Sequence, residues 1–73
     1  MMERYCYYNN EMYIVDQVIR KSSTIPFKPF EYRGLCEVYM HLQGRSKITM
    51  YQIVDPTIMT KDVAVNKFPE WLV

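Results

Sequence analysis

Two runs rich in tyrosine and β-branched residues flank Asn9-Asn10 in the opening Met2-Glu-Arg-Tyr-Cys-Tyr-Tyr-Asn-Asn-Glu-Met-Tyr-Ile-Val-Asp-Gln-Val-Ile19. Asparagine tolerates positive φ, and a two-residue type I′ turn needs positive φ at both central positions. The pattern therefore predicts a β-hairpin that pairs Tyr8 with Glu11, Tyr7 with Met12, Cys6 with Tyr13 and Tyr5 with Ile14. Side chains alternate across a strand. One face gathers Tyr5, Tyr7, Met12 and Ile14, and the other gathers Cys6, Tyr8, Tyr13 and Val15. Both faces are apolar, whereas an antiparallel sheet with one solvated face shows a polar alternation. Two outcomes fit: the hairpin is covered on both sides, or a tyrosine-rich face is left for a partner.

Residues 20–34 carry Pro26, Pro29, two serines and Gly34, so they read as an irregular connection. Ile25, Phe27 and Phe30 are expected to tie it to the core. It is an ordinary packed crossover on one reading and a recognition loop on the other. A second hairpin follows, with its turn at Gly44. Cys36, Val38, Met40 and Leu42 line one face of its first strand. Ile48, Met50 and Val54 line one face of the next, and pairing Met40 with Ile48 and Val38 with Met50 joins the two. That register sets Glu37, Tyr39 and His41 beside Lys47, Thr49 and Tyr51 on the opposite face. A helix over residues 35–42 competes, since Leu35, Val38, Tyr39 and Leu42 have helical spacing. Gly34 and the lack of a convincing N-cap oppose it.

Asp55-Pro56 ends the strand. Residues 60–67 read as a short helix, with Thr60 as cap, Asp62 in the first turn, Lys67 in the last and Pro69 as the stop. Val63 and Ala64 are expected to face the sheet, with Phe68, Trp71 and Leu72 anchoring the tail. The fold expected is α+β: a small antiparallel sheet of two hairpins with a short C-terminal helix, as a single domain over residues 1–73. An SH3-like all-β barrel is the alternative.

Composition narrows the functions. The hydrophobic fraction of 49% and the charged fraction of 23% suit a globular chain and argue against disorder. The first ten residues lack the apolar core of a signal peptide, and no run approaches the ~18 residues of a membrane span. A cytoplasmic setting with Cys6 and Cys36 as free thiols is the expectation. Net charge is +1, but it is unevenly spread. Arg20, Lys21, Lys28, Arg33, Arg45 and Lys47 face only Glu31 and Glu37 across residues 20–47, giving +4 there and −3 in the rest. Such a basic middle suits an acidic protein surface or phosphates.

Little chemistry is offered. His41 is the one histidine, and it lacks a nucleophile and an orienting third group. Cys6, Cys36 and His41 fall short of the four ligands usual for structural zinc, and they include no close cysteine pair. The only glycines are Gly34 and Gly44, so there is no phosphate-cradling loop. The chain is expected to be non-enzymatic and to use no cofactor. Three classes stay open. The first is a protein-binding regulator, with partner contacts from Tyr5, Tyr7, Tyr8, Tyr13, Arg20, Lys21, Arg33, Arg45 and Lys47, and a further candidate face of Tyr39, His41, Lys47 and Tyr51. The second is a nucleic-acid module with Arg33, Arg45 and Lys47 on phosphates and tyrosines stacked on bases. The third is a structural subunit. On the first reading, replacing Tyr7 or Tyr13 with alanine is expected to weaken partner binding and leave the fold intact.

The opening Met1-Met-Glu-Arg-Tyr-Cys-Tyr-Tyr-Asn-Asn-Glu-Met-Tyr-Ile-Val-Asp-Gln-Val-Ile-Arg-Lys-Ser-Ser23, the short length and the ending Lys67-Phe-Pro-Glu-Trp-Leu-Val73 resemble a small phage-encoded regulator of host RNA polymerase, of the Xanthomonas-phage type. The likeness covers all 73 residues and contains no diagnostic motif. It implies a monomer in the host cytoplasm that binds the bacterial polymerase near the N-terminus of its largest subunit. It further implies inhibition of transcription initiation and suppression of termination, with direct nucleic-acid contact secondary.

Overall fold

The computed structural model describes residues 3–21 and 32–71. Five strands and one helix follow in order: β1 (Arg4–Tyr8), β2 (Glu11–Arg20), β3 (Leu35–Leu42), β4 (Thr49–Val54), β5 (Ile58–Thr60) and α1 (Lys61–Lys67). They form one antiparallel sheet in the order β4-β3-β2-β1-β5, with a short C-terminal helix. The expected tethers Ile25, Phe27 and Phe30, with Lys28 and Leu72, lie outside the described residues.

The first hairpin has the expected register. Asn9 and Asn10 adopt φ of 53° and 64°, and Tyr8 pairs with Glu11 through to Tyr5 with Ile14. Its two faces are both covered. Tyr5 and Met12 pack with Met59, Ala64 and Phe68 on the helix side. Cys6, Tyr13 and Val15 pack with Cys36, Val38, Met40 and Ile58 on the other. The helix side includes a strand absent from the sequence reading: β5 pairs with β1, setting Tyr5 opposite Met59 and Cys6 opposite Ile58. The hairpin strand β1 is thereby an interior strand.

Residues 35–42 are a strand, not a helix, and they sit between β2 and β4. The expected register of the second hairpin is off by one. Val38 pairs with Tyr51 and Met40 with Thr49, so the faces of β4 are exchanged. Tyr51 and Ile53 turn to the core, while Ile48, Met50 and Val54 stay 52%, 39% and 67% exposed. The cause lies in β4 itself, whose two faces are both partly apolar, so patterning alone does not choose between them. Burying Tyr51 removes a large aromatic surface from water and sets its ring 5.4 Å from those of Tyr8 and Tyr13. The turn permits the shift. Arg45 N–H donates to Leu42 C=O around Gly44 at φ 83°, and residues 45–48 run unpaired before β4 begins.

The connection from β4 to β5 is three residues long, yet these strands are at opposite ends of the sheet order. Four inter-strand steps in a flat sheet span about 19 Å, whereas the chain from Val54 to Ile58 reaches at most about 14 Å. The sheet must therefore curl, and its concave side holds the core around Val38 and Met40. A bulge in β2 between Val15 and Gln17 helps it bend.

Helix α1 has the expected span, Lys61–Lys67 behind Thr60. Thr60 occupies the cap position but makes no capping hydrogen bond with its side chain. Ala64 is fully buried against the sheet, whereas Val63 is 43% exposed and does not share that contact. Phe68 stacks on Tyr7 with ring centroids 4.4 Å apart, and Trp71 meets the same ring edge-on at 6.1 Å. Among the described residues no helix is long and apolar enough to cross a membrane.

Candidate interaction site

The nine residues expected at a partner surface occupy three separate places. Tyr5 and Tyr7 lie on the convex face, under α1 and the segment after it. Tyr5 is buried, and its hydroxyl donates to a Glu3 carboxylate oxygen at 2.9 Å; burial first and this contact second hold its pKa above the usual tyrosine value. Arg20, Lys21 and Arg33 cluster where β2 ends and β3 begins. Lys21 N–H donates to Leu35 C=O, and its ammonium lies 3.7 Å from Glu37. Arg33 borders a cleft with Asp55, Pro56 and Lys67. Tyr8, Tyr13, Arg45 and Lys47 gather at the far end of β3, around the turn after Leu42. Seven residue steps of β3 separate these ends, about 23 Å.

The third place is the most complete. Tyr13 and Tyr51 share a hydrogen bond between their hydroxyls at 3.3 Å, and Tyr8 meets Tyr51 edge-to-face. That bond, with burial second, pushes the Tyr13 pKa up to about 12. Over this aromatic floor lies a cleft of about 130 Å³ whose rim includes His41, Arg45 and Lys47. Arg45 and Lys47 are exposed, held out by the unpaired segment that follows the Gly44 turn. Two cations beside tyrosine rings make a surface for carboxylates, phosphates or flat π systems.

Two expectations are corrected here. The face of Tyr39, His41, Lys47 and Tyr51 is not a single sheet face, because the one-residue shift turns Tyr51 to the core side; His41, Lys47 and Tyr51 still line one cleft, and Tyr39 lies outside it. Tyr13 is only 5% exposed and Tyr7 is stacked under Phe68, so alanine at either position removes packing as well as any partner contact. The member missed by the sequence reading is Tyr51, which joins Tyr8 and Tyr13 only once the register of β4 is known.

His41 is half-buried, with Nδ1 2.7 Å from a carboxylate oxygen of Asp16, the bulge residue of β2. The pair pins the bulge to β3. Cys6 and Cys36 are both free and buried. Burial pushes the Cys6 thiol up to about 11 and raises that of Cys36 as well, so both are poor nucleophiles. Among the described residues no group of three or more His, Cys, Asp or Glu is placed to hold a metal ion. Comparison with protein-family models, curated proteins and solved structures finds no match to this chain.

Proposed function

We propose that this protein is a non-enzymatic binding module that docks on bacterial RNA polymerase, near the N-terminus of the largest subunit, inhibits initiation and suppresses termination. The cytoplasm of a phage-infected host is its setting. Two things support the reading: the resemblance to phage-encoded polymerase regulators and the cluster at the turn end of β3. The observation that carries the docking surface is that exposed Arg45 and Lys47 line one cleft with Tyr13 and Tyr51, whose rings meet each other and, through Tyr51, that of Tyr8. Tyrosine and arginine dominate interface hot spots because they combine large contact area with a directed polar group. At fold level we propose a small SH3-like barrel, supported by the five-strand order, the bulged β2 and the three-residue link from β4 to β5. A module this small favours one polymerase state only by binding it more tightly than the other.

The test is gel filtration of the protein with polymerase from a Xanthomonas host, at physiological salt and without DNA. Co-elution at fixed stoichiometry is the expected result, with binding weakened at least about tenfold in an Arg45→Glu, Lys47→Glu variant. Separate elution of a folded sample refutes the reading. A second reading is a nucleic-acid module, favoured by the same pairing of cations with aromatic rings at one cleft. A single-stranded RNA titration that loses affinity steeply between low and high salt would select it.

A further inference from the structure

The two edges of the sheet differ. The β5 edge is three residues long and runs directly into α1, which leaves little to pair with. The β4 edge is six residues, Thr-Met-Tyr-Gln-Ile-Val, with no charge, no proline and no bulge, and among the described residues no further strand pairs with it.

The ladder to β3 shows which backbone groups the edge presents. Asp55 N–H donates to Gly34 C=O at 2.9 Å, so Gly34 and Asp55 are a hydrogen-bonded pair. Hydrogen-bonded and non-hydrogen-bonded pairs alternate along an antiparallel ladder. Thr49, Tyr51 and Ile53 therefore bond to β3, and the N–H and C=O groups of Met50, Gln52 and Val54 point away from it. The side chains of these same three residues lie on the open face. On that face Val54 lies opposite Leu35, with Ile19 diagonal to Leu35 on β2, while Met50 is set apart from them by Gln52; all four apolar residues are more than a third exposed.

We propose that the β4 edge pairs with the β4 edge of a second copy of this chain, antiparallel about a two-fold axis at Tyr51. The charges favour this occupant. With the axis at Tyr51, Ile48 meets the second copy's Val54, Met50 meets its Gln52, and Lys47 meets its Asp55, each pair occurring twice. The apolar residues face apolar or uncharged ones, and just beyond the ends of β4 each Lys47 approaches an Asp55, one of whose carboxylate oxygens accepts from Gly34 N–H, leaving the other for the ammonium. An axis at Gln52 instead sets Ile48 against Pro56, which lacks an N–H for the ladder, and sets Lys47 against Thr57. Isologous contacts need this self-complementarity, since one patch must match itself under rotation. The paired strands bury less than the ~800 Å² a side of a standard stable interface, so the dimer is weak, with a dissociation constant of order 100 µM. This revises the monomer expected from the sequence at high concentration; it shares Lys47 with the polymerase reading, and Gln52→Pro and Val54→Lys, which lie outside that cleft, separate the two.

Sedimentation equilibrium of the full chain from about 10 µM to about 1 mM, a range that brackets such a constant, tests the inference. The expected result is a monomer–dimer equilibrium that weakens several-fold in Lys47→Glu. Gln52→Pro removes an outward N–H without touching the ladder to β3, and it is expected to be monomeric throughout. Circular dichroism checks its fold. Should the proline variant fail to fold, Val54→Lys, at a position 67% exposed, is expected to block pairing by placing like charges along the seam. A wild-type monomer at the highest concentration overturns the proposal. So does self-association that Val54→Lys leaves unchanged.

Discussion

Met40 and Met50 carry the same side chain on neighbouring strands, one register position apart and so on opposite faces, and comparing them tests how the second hairpin is paired. Met40 is 0% exposed at the centre of the concave core, and Met50 is 39% exposed on the open face. Truncating methionine to alanine removes roughly three methylene equivalents, worth about 2.4 kcal/mol of transfer free energy when fully buried. At Met40 a cavity term is added because the surrounding strands relax only in part, bringing the loss to about 3–4 kcal/mol. At Met50 the site opens to water, no cavity forms, and the partial burial leaves about 1.5 kcal/mol. The variants should therefore differ by about 2 kcal/mol, or about 8–16 °C in melting temperature for a domain of this size. Urea unfolding followed by circular dichroism, with thermal melts alongside, gives both numbers. With total stability of about 4–11 kcal/mol at this length, Met40→Ala sits near the limit of folding. Equal losses in the two variants would mean that both methionines are buried, which is the slipped register, and would refute the assignment of faces in β4.

Two further outcomes follow from the packing. Stability should fall as pH rises from about 9 to about 12, because Cys6 is raised to about 11 by burial and Tyr13 to about 12 by its bond with Tyr51 and by burial. The unfolded chain loses those protons at lower pH and is favoured across that window, while below pH ~9 these two groups contribute no slope. Melts of wild type and Tyr13→Phe should diverge above pH ~10, and a flat wild-type curve up to pH 12 would contradict this. Ala64→Leu should cost about 1–3 kcal/mol by overpacking the helix–sheet contact. It should also shift Trp71 emission as the Tyr7–Trp71 contact changes, and an unperturbed melt and spectrum would place α1 elsewhere.

The elements differ in how far the residues alone reveal them. Asn9-Asn10 is read correctly because positive φ at two successive positions is demanding chemistry that few residue types satisfy. The helix is legible for a similar reason, since Asp62, Lys67 and Pro69 mark its ends by charge and by a missing N–H. Strand β4 is not, because its alternation offers two apolar faces and the choice rests on Tyr51 finding Tyr8 and Tyr13 across the sheet. Strand β5 is invisible locally: three residues after Pro56 have no period, and only pairing with β1 defines them. The candidate site inherits both difficulties. Arg45 and Lys47 are found by counting charge, whereas the aromatic floor beneath them depends on a contact between residues 13 and 51.

The pairing of β1 with β5 also governs when the molecule can form. Arg4 lies opposite Thr60, so β1 finds its outer neighbour only after the chain through residue 60 has been made. The β1–β2 hairpin can zip locally, but its convex face stays bare until Met59, Ala64 and Phe68 emerge. Closing a loop of that length adds an entropic cost that only the finished core repays, and it slows folding relative to a chain of local contacts. Losing residues 58–68 should therefore bare the patch around Tyr5 and Met12, and losing β1 should bare the facing Met12, Met59 and Ala64, so the two segments act as one element in guarding against aggregation.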